Sequence, residues 1–185
     1  MNALYVVLGV LVLMVLWVVA VYNRFIRMVQ QAKEAWADID VQLKRRYDLI
    51  PNLVETVKGY AAHESGVFQQ VTAARTAAMS ATGAEAKGQA QNMLSGTLKS
   101  LFAVSEAYPD LKANQNFLDL QTQLADTEDK IQAARRFYNG NVRDLTTGMQ
   151  SFPGNIIAGM FHFESMQYFQ LDANSTEREP VAVKF

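Results

Sequence analysis

Val29 to Tyr60, VQQAKEAWADIDVQLKRRYDLIPNLVETVKGY, is the stretch whose reading decides the fold. Counted in sevens, it places Val29, Trp36, Leu43, Ile50 and Val57 at one position and Ala32, Ile39, Arg46, Leu53 and Tyr60 at another. Among these only Arg46 is charged. An apolar stripe of this period belongs to a long helix that buries one side against partner helices. Pro51 cannot donate to the carbonyl of Tyr47, so it either kinks the helix or opens a new one. The heptad phase survives across Pro51 where a turn would reset it, which predicts a kinked, nearly continuous helix. Arg46 on the buried stripe must find a carboxylate or carbonyls, or snorkel outward. A register-fixing ion pair is the plainer reading, a ligand site the sharper one. Arg46, with Tyr138 and Asn139 on a later arm, is expected to form a structural polar network.

Upstream, Ala3 to Tyr22 (ALYVVLGVLVLMVLWVVAVY) carries no charge. As a helix it reaches about 30 Å, the thickness of a bilayer's hydrocarbon core. No Lys or Arg precedes it and its end is bulky, which favours a retained anchor over a cleaved signal peptide. Trp17 and Tyr22 suit an interfacial aromatic belt. Arg24, Arg27 and Lys33 follow closely, so the positive-inside rule places the body on the cytoplasmic face of a membrane crossed once.

Downstream, the frame degrades at His63-Glu64-Ser65-Gly66 and resumes weakly, predicting helix, with or without a joint, to about Ala81. Ala84 to Ala107 reads as a second arm, with Leu94, Leu98, Leu101 and Val104 on one face. Gly88 and Gly96 weaken it, pointing to close packing or modest local order. Tyr108-Pro109-Asp110 ends it. Leu111 to Met149 is a third long arm, carrying Phe117, Leu120, Leu124, Ile131, Ala134, Tyr138 and Leu145. Phe152 to Phe169 (FPGNIIAGMFHFESMQYF) is aromatic-rich with one acidic and no basic residue, and must dock somewhere. Leu171 to Phe185 reads as an extended tail. The expected organisation is an anchor over 1–23, a helical bundle over 24–150, and an apolar segment and tail over 151–185. The fold class is all-α, a single-pass transmembrane helix followed by a bundle of three to four long antiparallel helices.

Composition excludes much chemistry. Seventeen basic against eighteen acidic residues give no electrostatic reason to expect nucleic acid as a partner. The absence of Cys removes disulfides, thiolate metal sites, thiol nucleophiles and lipid-modified cysteine. His63-Glu64 begins like a zinc-protease motif, but Val67 stands where the second His is required. Asp38 and Asp40, two apart on a helix, point in divergent directions. Asp40 with Lys44, and Lys44 with Asp48, have the spacing of surface ion pairs. No catalytic residue, metal or cofactor is expected. The partner-binding candidates are Lys44, Arg45 and Asp48 on a charged face, and Ile156, Ile157, Met160, Phe161, Phe163 and Phe169 in the apolar segment.

Four ordered blocks then resemble a known family. Ala35 to Glu64, Ser105 to Phe117 (SEAYPDLKANQNF), Ala134 to Asp144 (ARRFYNGNVRD) and Phe152 to Phe161 (FPGNIIAGMF) resemble the LemA family of bacterial membrane proteins. Leu145-Thr146 departs from the pattern, since members often carry an aromatic followed by Asn. The resemblance implies an anchored bundle, usually of four long antiparallel helices, a count in tension with continuity through Pro51 unless the second helix begins near Gly59 to Gly66. It implies no established enzymatic activity or cofactor. Some similar proteins carry a lipid-modified cysteine instead of the anchor, which would put their bodies outside the cytoplasm. Neighbouring genes suggest partners among membrane metalloproteases or envelope proteins with a TPM domain. The expected function is a non-enzymatic scaffold or adaptor of the bacterial envelope that self-associates or binds other membrane proteins. The alternatives are a metal-binding or hydrolytic enzyme centred on His63 and Glu64, or a polymerising structural protein at the membrane.

Overall fold

A computed structural model describes residues 2–169, with side chains from residue 3 onward, and every regular element among them is helical. In chain order they are α1 (Asn2–Lys58), α2 (Ser65–Ser80), α3 (Ala84–Ser105), α4 (Pro109–Lys112), α5 (Gln115–Gln150) and α6 (Gly154–Met160). The tail expected over 171–185 lies outside the described residues. Two compact units divide the chain. One takes α1 up to Asp38 together with Ala134–Gln167, and the other takes Ile39–Ala133 with Tyr168 and Phe169.

α1 passes through Pro51 without interruption, with the proline on its exposed side. The stripe read from the sequence is the buried one, since Ala32, Ile39, Leu43, Ile50, Leu53 and Val57 are almost wholly excluded from water. Tyr60, the last residue of that frame, falls beyond the helix end and is exposed. The chain turns over residues 59–64 and α2 begins at Ser65, so the joint left open in the sequence is present.

In the second unit α1 and α2 run antiparallel. Tyr47 meets Arg75 and Ala78, while the Lys58 amine lies 5.9 Å from the Phe68 ring centre. α3 follows the direction of α1, because Asp40 meets Lys87 and Arg46 meets Gln91 and Ser95. Leu94, Leu98 and Leu101 are buried as their spacing predicts. Gly88 is buried, but a Cβ on Gly96 would meet nothing, so close packing does not account for Gly96. Asn114 starts α5 by accepting the Phe117 amide at its Oδ1 (3.1 Å), satisfying one of the orphan donors of the first turn.

In the first unit α1 and α5 are antiparallel, with Trp36 edge-on to Tyr138 (5.2 Å between ring centres) and Phe25 against Gly148. The core is Phe25, Leu145, Ile157 and Ala158, and Val18, Val21, Tyr22, Met28, Met149 and Phe163 pack on it. Two glycines permit this approach. A Cβ on Gly148 would stand 3.2 Å from the Phe25 ring, and one on Gly154 would stand 2.6 Å from the carbonyl oxygen of Gly148.

α6 ends in a reversal that sends Phe163 back onto the core. The Phe163 amide donates to the Ala158 carbonyl (3.0 Å) and the His162 amide to that of Gly159 (3.3 Å), the two bonds of a Schellman motif. Its left-handed position, ordinarily glycine, is His162 at φ 53°. A Cβ in that region costs about 1–2 kcal/mol. Because His162 is exposed, its ring contributes little to offset that cost. His162→Gly is therefore expected to stabilise the protein by about 0.5–1 kcal/mol in urea melts of the micelle-bound chain. A loss of stability would show that the imidazole makes a contact worth more than the strain.

Candidate functional site

The densest polar constellation in the second unit is built on consecutive residues of α1. Arg46 is 4% exposed although charged, and its guanidinium is held from three directions. Nη1 pairs with the Glu128 carboxylate of α5 at 3.0 Å. Nη2 donates to Ser95 Oγ of α3 at 2.8 Å, and Nη1 also reaches Gln91 Oε1 at 3.4 Å. Gln91 passes its amide hydrogen to the Tyr47 hydroxyl, which donates to the Ala78 carbonyl of α2 at 3.1 Å. Four helices thus meet in one hydrogen-bonded chain.

Burial pulls the Arg46 guanidinium below its ordinary pKa, and the Glu128 charge works against that pull. Burial also pushes the Tyr47 phenol up, opposed by the Gln91 hydrogen bond and by the charge of Arg46. The arrangement keeps Tyr47 neutral and Arg46 saturated. Asp40 pairs with Lys87 at the same face, displacing the expected Asp40–Lys44 pair, because α3 brings a lysine nearer than one turn of α1 does.

The polar network expected of Arg46, Tyr138 and Asn139 resolves into two sets. Arg46 takes its partners within the second unit. Tyr138 and the half-buried Asn139 belong to the first unit, where the Tyr138 hydroxyl donates to the Gln167 carbonyl at 2.7 Å. Burial raises the Tyr138 pKa.

Among the partner-binding candidates, Lys44, Arg45 and Asp48 lie on the outward face of α1. Lys44 pairs with Asp48 (2.6 Å), and Arg45 stands 3.8 Å from Asp126. In the apolar segment the candidates separate. Ile157 and Phe169 are buried in the protein's own core, so neither offers a surface to a partner. Phe163 is half-buried against Phe25 and Tyr22. Ile156, Met160 and Phe161 remain exposed, by 53%, 63% and 46%.

Beside that segment the first unit holds an open cleft of about 570 Å³. Trp17, Val21 and Phe152 supply apolar lining, Arg24 and Arg143 basic lining, and Thr147 and Ser151 hydroxyls. His63 stands exposed in the turn before α2, and Glu64 accepts a long hydrogen bond from the Tyr108 hydroxyl (3.5 Å). Among the described residues no group of three or more His, Cys, Asp or Glu is placed to hold a metal ion. Leu145 is fully buried, while the buried Thr146 hydroxyl and the Gln42 Oε1 find no hydrogen-bond partner among the described residues.

Residues 35–185 match the model of the LemA family. The chain belongs to that family. It is 25% identical over 175 residues to the magnetosome protein MamQ 1 of Paramagnetospirillum magneticum, covering 80% of this chain and 64% of the relative. It is similarly 23% identical over 174 residues to the magnetosome protein MamQ of Magnetospirillum gryphiswaldense. A protein named LemA from Metamycoplasma hominis is 26% identical over 164 residues, with 86% of this chain and 72% of the relative covered. The chain therefore spans just under two thirds of the length of the MamQ relatives. Family membership and the apolar N-terminal helix together describe a helical, membrane-associated protein.

Sequence reasoning found Arg46 but not its partners. Gln91 was legible as a polar residue three places before Leu94 on the α3 stripe, whereas Glu128 lies among charges that read as a solvated face. The geometry predicts unequal costs along α1. Arg46→Ala strands Glu128, Gln91 and Ser95 at once and should lower stability by about 2–3 kcal/mol, tempered by the partial exposure of Glu128. Lys44→Ala, whose pair is open to water, should cost under about 0.5 kcal/mol. Equal, negligible losses in denaturant melts would show that the cluster holds nothing together.

A second prediction concerns Pro51. The Tyr47 carbonyl, four residues before the proline, accepts a hydrogen bond from Arg75 Nε at 2.8 Å, replacing the donor that the helix lacks there. Arg75→Met should cost about 1 kcal/mol in the native background. It should cost much less beside Pro51→Ala, which restores a backbone N–H. A double-mutant cycle reads the difference, and strict additivity would refute the compensation.

Proposed function

We propose that this chain is a single-pass membrane scaffold or adaptor without catalysis of its own. Its helical body would be held at the surface of the bacterial cytoplasmic membrane to gather other membrane proteins or further copies of itself. The observation that carries the reading is the absence of a linker between span and body. Val18, Val21 and Tyr22, in the last turns of the apolar stretch, already pack against Phe25, Leu145 and Ile157 of the first unit. A tethered enzyme gains from a flexible leash that lets it reach substrate, whereas a scaffold gains from a body fixed relative to the bilayer. The buried polar groups also support the reading, since Arg46, Tyr47, Gln91 and Ser95 bond to one another, to Glu128 and to the backbone. The relatives named magnetosome protein and LemA share this helical region, and neither name specifies a reaction.

The outward face of α1 around Val41, Lys44, Arg45 and Asp48 is the assembly surface in this reading, with Arg24 and Arg27 keeping the body on the cytoplasmic side. Cross-linking in native membranes, followed by identification of the attached chains, is the test. Discrete adducts with membrane proteins or a second copy are expected. They should fade in the exchange Lys44→Glu with Asp48→Lys, which preserves an i,i+4 pair and thus the fold while inverting the pattern shown to a partner. Adducts indifferent to that exchange would remove the face from the proposal. Absence of any adduct, or stoichiometric metal in the purified protein, would overturn the scaffold itself.

A further inference from the structure

α6 and the residues flanking it present an apolar face that the protein's own core does not use. Phe152, Ile156 and Met160 recur every four residues, the spacing of one helix face, and are 81%, 53% and 63% exposed. Phe161 adjoins them at 46%. The opposite side of the helix, Ile157 and Ala158, is buried. From Leu145 to Phe163 no Lys, Arg, Asp or Glu occurs. A face this apolar, on a segment this free of charge, requires an occupant.

Its position names one. The Tyr22 ring lies 4.8 Å from Phe161 and 5.6 Å from Phe163, and Val18 and Val21 pack on the same core. These residues are the last turns of the uncharged stretch of α1, so the segment lies beside the anchor before its first charge. Val18 to Arg24 spans roughly 9 Å along the helix, within the depth of roughly 5–10 Å at which interfacial helices sit. Charges follow on both long helices, since Arg24 of α1 and the paired Arg143 and Asp144 of α5 line the cleft that Trp17 and Phe152 also line. Apolar side chains below and a charged, polar rim above follow the order of acyl chain and headgroup at a bilayer surface.

We propose that the face formed by Phe152, Ile156, Met160 and Phe161 lies in the lipid interface of the bilayer that α1 crosses. The chain then has a second membrane contact, a short helix lying along the surface at the foot of the anchor. This inference rests on the membrane reading of α1, and the experiment separates the two.

The native chain has no cysteine, so single-cysteine variants carry a nitroxide label at one chosen position. Full-length Ile156→Cys, Met160→Cys, Val12→Cys and Phe137→Cys, reconstituted in phospholipid vesicles, are compared by collision with oxygen, which partitions into lipid, and with a water-soluble nickel chelate. Phe137 is equally exposed but lies thirteen residues before the end of α5, roughly 20 Å along that helix. Labels at Ile156 and Met160 are expected to favour oxygen several-fold over the label at Phe137, approaching the label at Val12. If Val12 favours oxygen and positions 156 and 160 match Phe137, the surface contact is overturned and the anchor stands. If Val12 itself favours the nickel chelate, both fail. Immobilised labels at 156 and 160, shielded from both reagents, would overturn the lipid occupant in favour of a protein.

Discussion

One helix has to satisfy two solvents, and the rest of the structure follows from how α1 does so. In hydrocarbon every side of a helix must be apolar and every backbone group paired internally. In water a single apolar stripe is enough, provided other helices cover it. α1 meets the first condition from Ala3 to Trp17, where its side chains face outward all round, and the second over the stripe that runs to Val57, where one side is buried. The two regimes join without a break in the helix. α2, α3 and α5 then lie where the stripe requires cover.

An apolar stripe by itself is a poor ruler, because one heptad of Leu, Ile and Val buries about as well as the next. Two polar exceptions on α1 supply direction. Pro51 leaves the Tyr47 carbonyl without its helical donor, and only one residue of α2, Arg75, answers it. Arg46 demands several acceptors, and those at hand come from fixed points on α3 and α5. Sliding α2 or α3 by a heptad would keep the apolar burial and forfeit these bonds, leaving a charge and a carbonyl unpaired in the interior. The residues that look least suited to a core position therefore limit how its helices can register.

Periodicity made the all-α class, the buried stripe and the passage through Pro51 legible in the sequence, because each depends on spacing along one chain. The end of α3 was legible from Tyr108-Pro109-Asp110, whereas the joint before α2 was left open. What sequence could not supply was pairing between elements. Spacing offered Asp40 the lysine one turn on, Lys44, and it took Lys87 on another helix. Ile157 reads like Ile156 in composition, and only the turn of α6 decides which faces inward. Arg46, Tyr138 and Asn139 shared a polar, inward character, yet nothing in a linear reading assigns them to separate packed units. His162 sits between two phenylalanines, and its backbone role in the helix reversal carries no signature without a glycine there.

The absence of a linker has a cost as well as a use. Val18, Val21 and Tyr22 contribute to the anchor and also to the core that Ile157 and Phe163 complete. A side chain in that position cannot be optimised for lipid alone, since its volume is also fixed by the neighbours it packs against. The tight passages at Gly148 and Gly154, where a Cβ would meet the Phe25 ring or another carbonyl, show how closely the returning segment is seated. Removing the anchor therefore does more than release a body from a membrane. It takes away one wall of the first unit's core and exposes the other side of the same contacts to water. The second unit, whose stripe begins at Ile39 and whose polar chain closes on Glu128 and Ala78, loses no such wall. Membrane attachment and folding are thus coupled in the first unit through shared side chains.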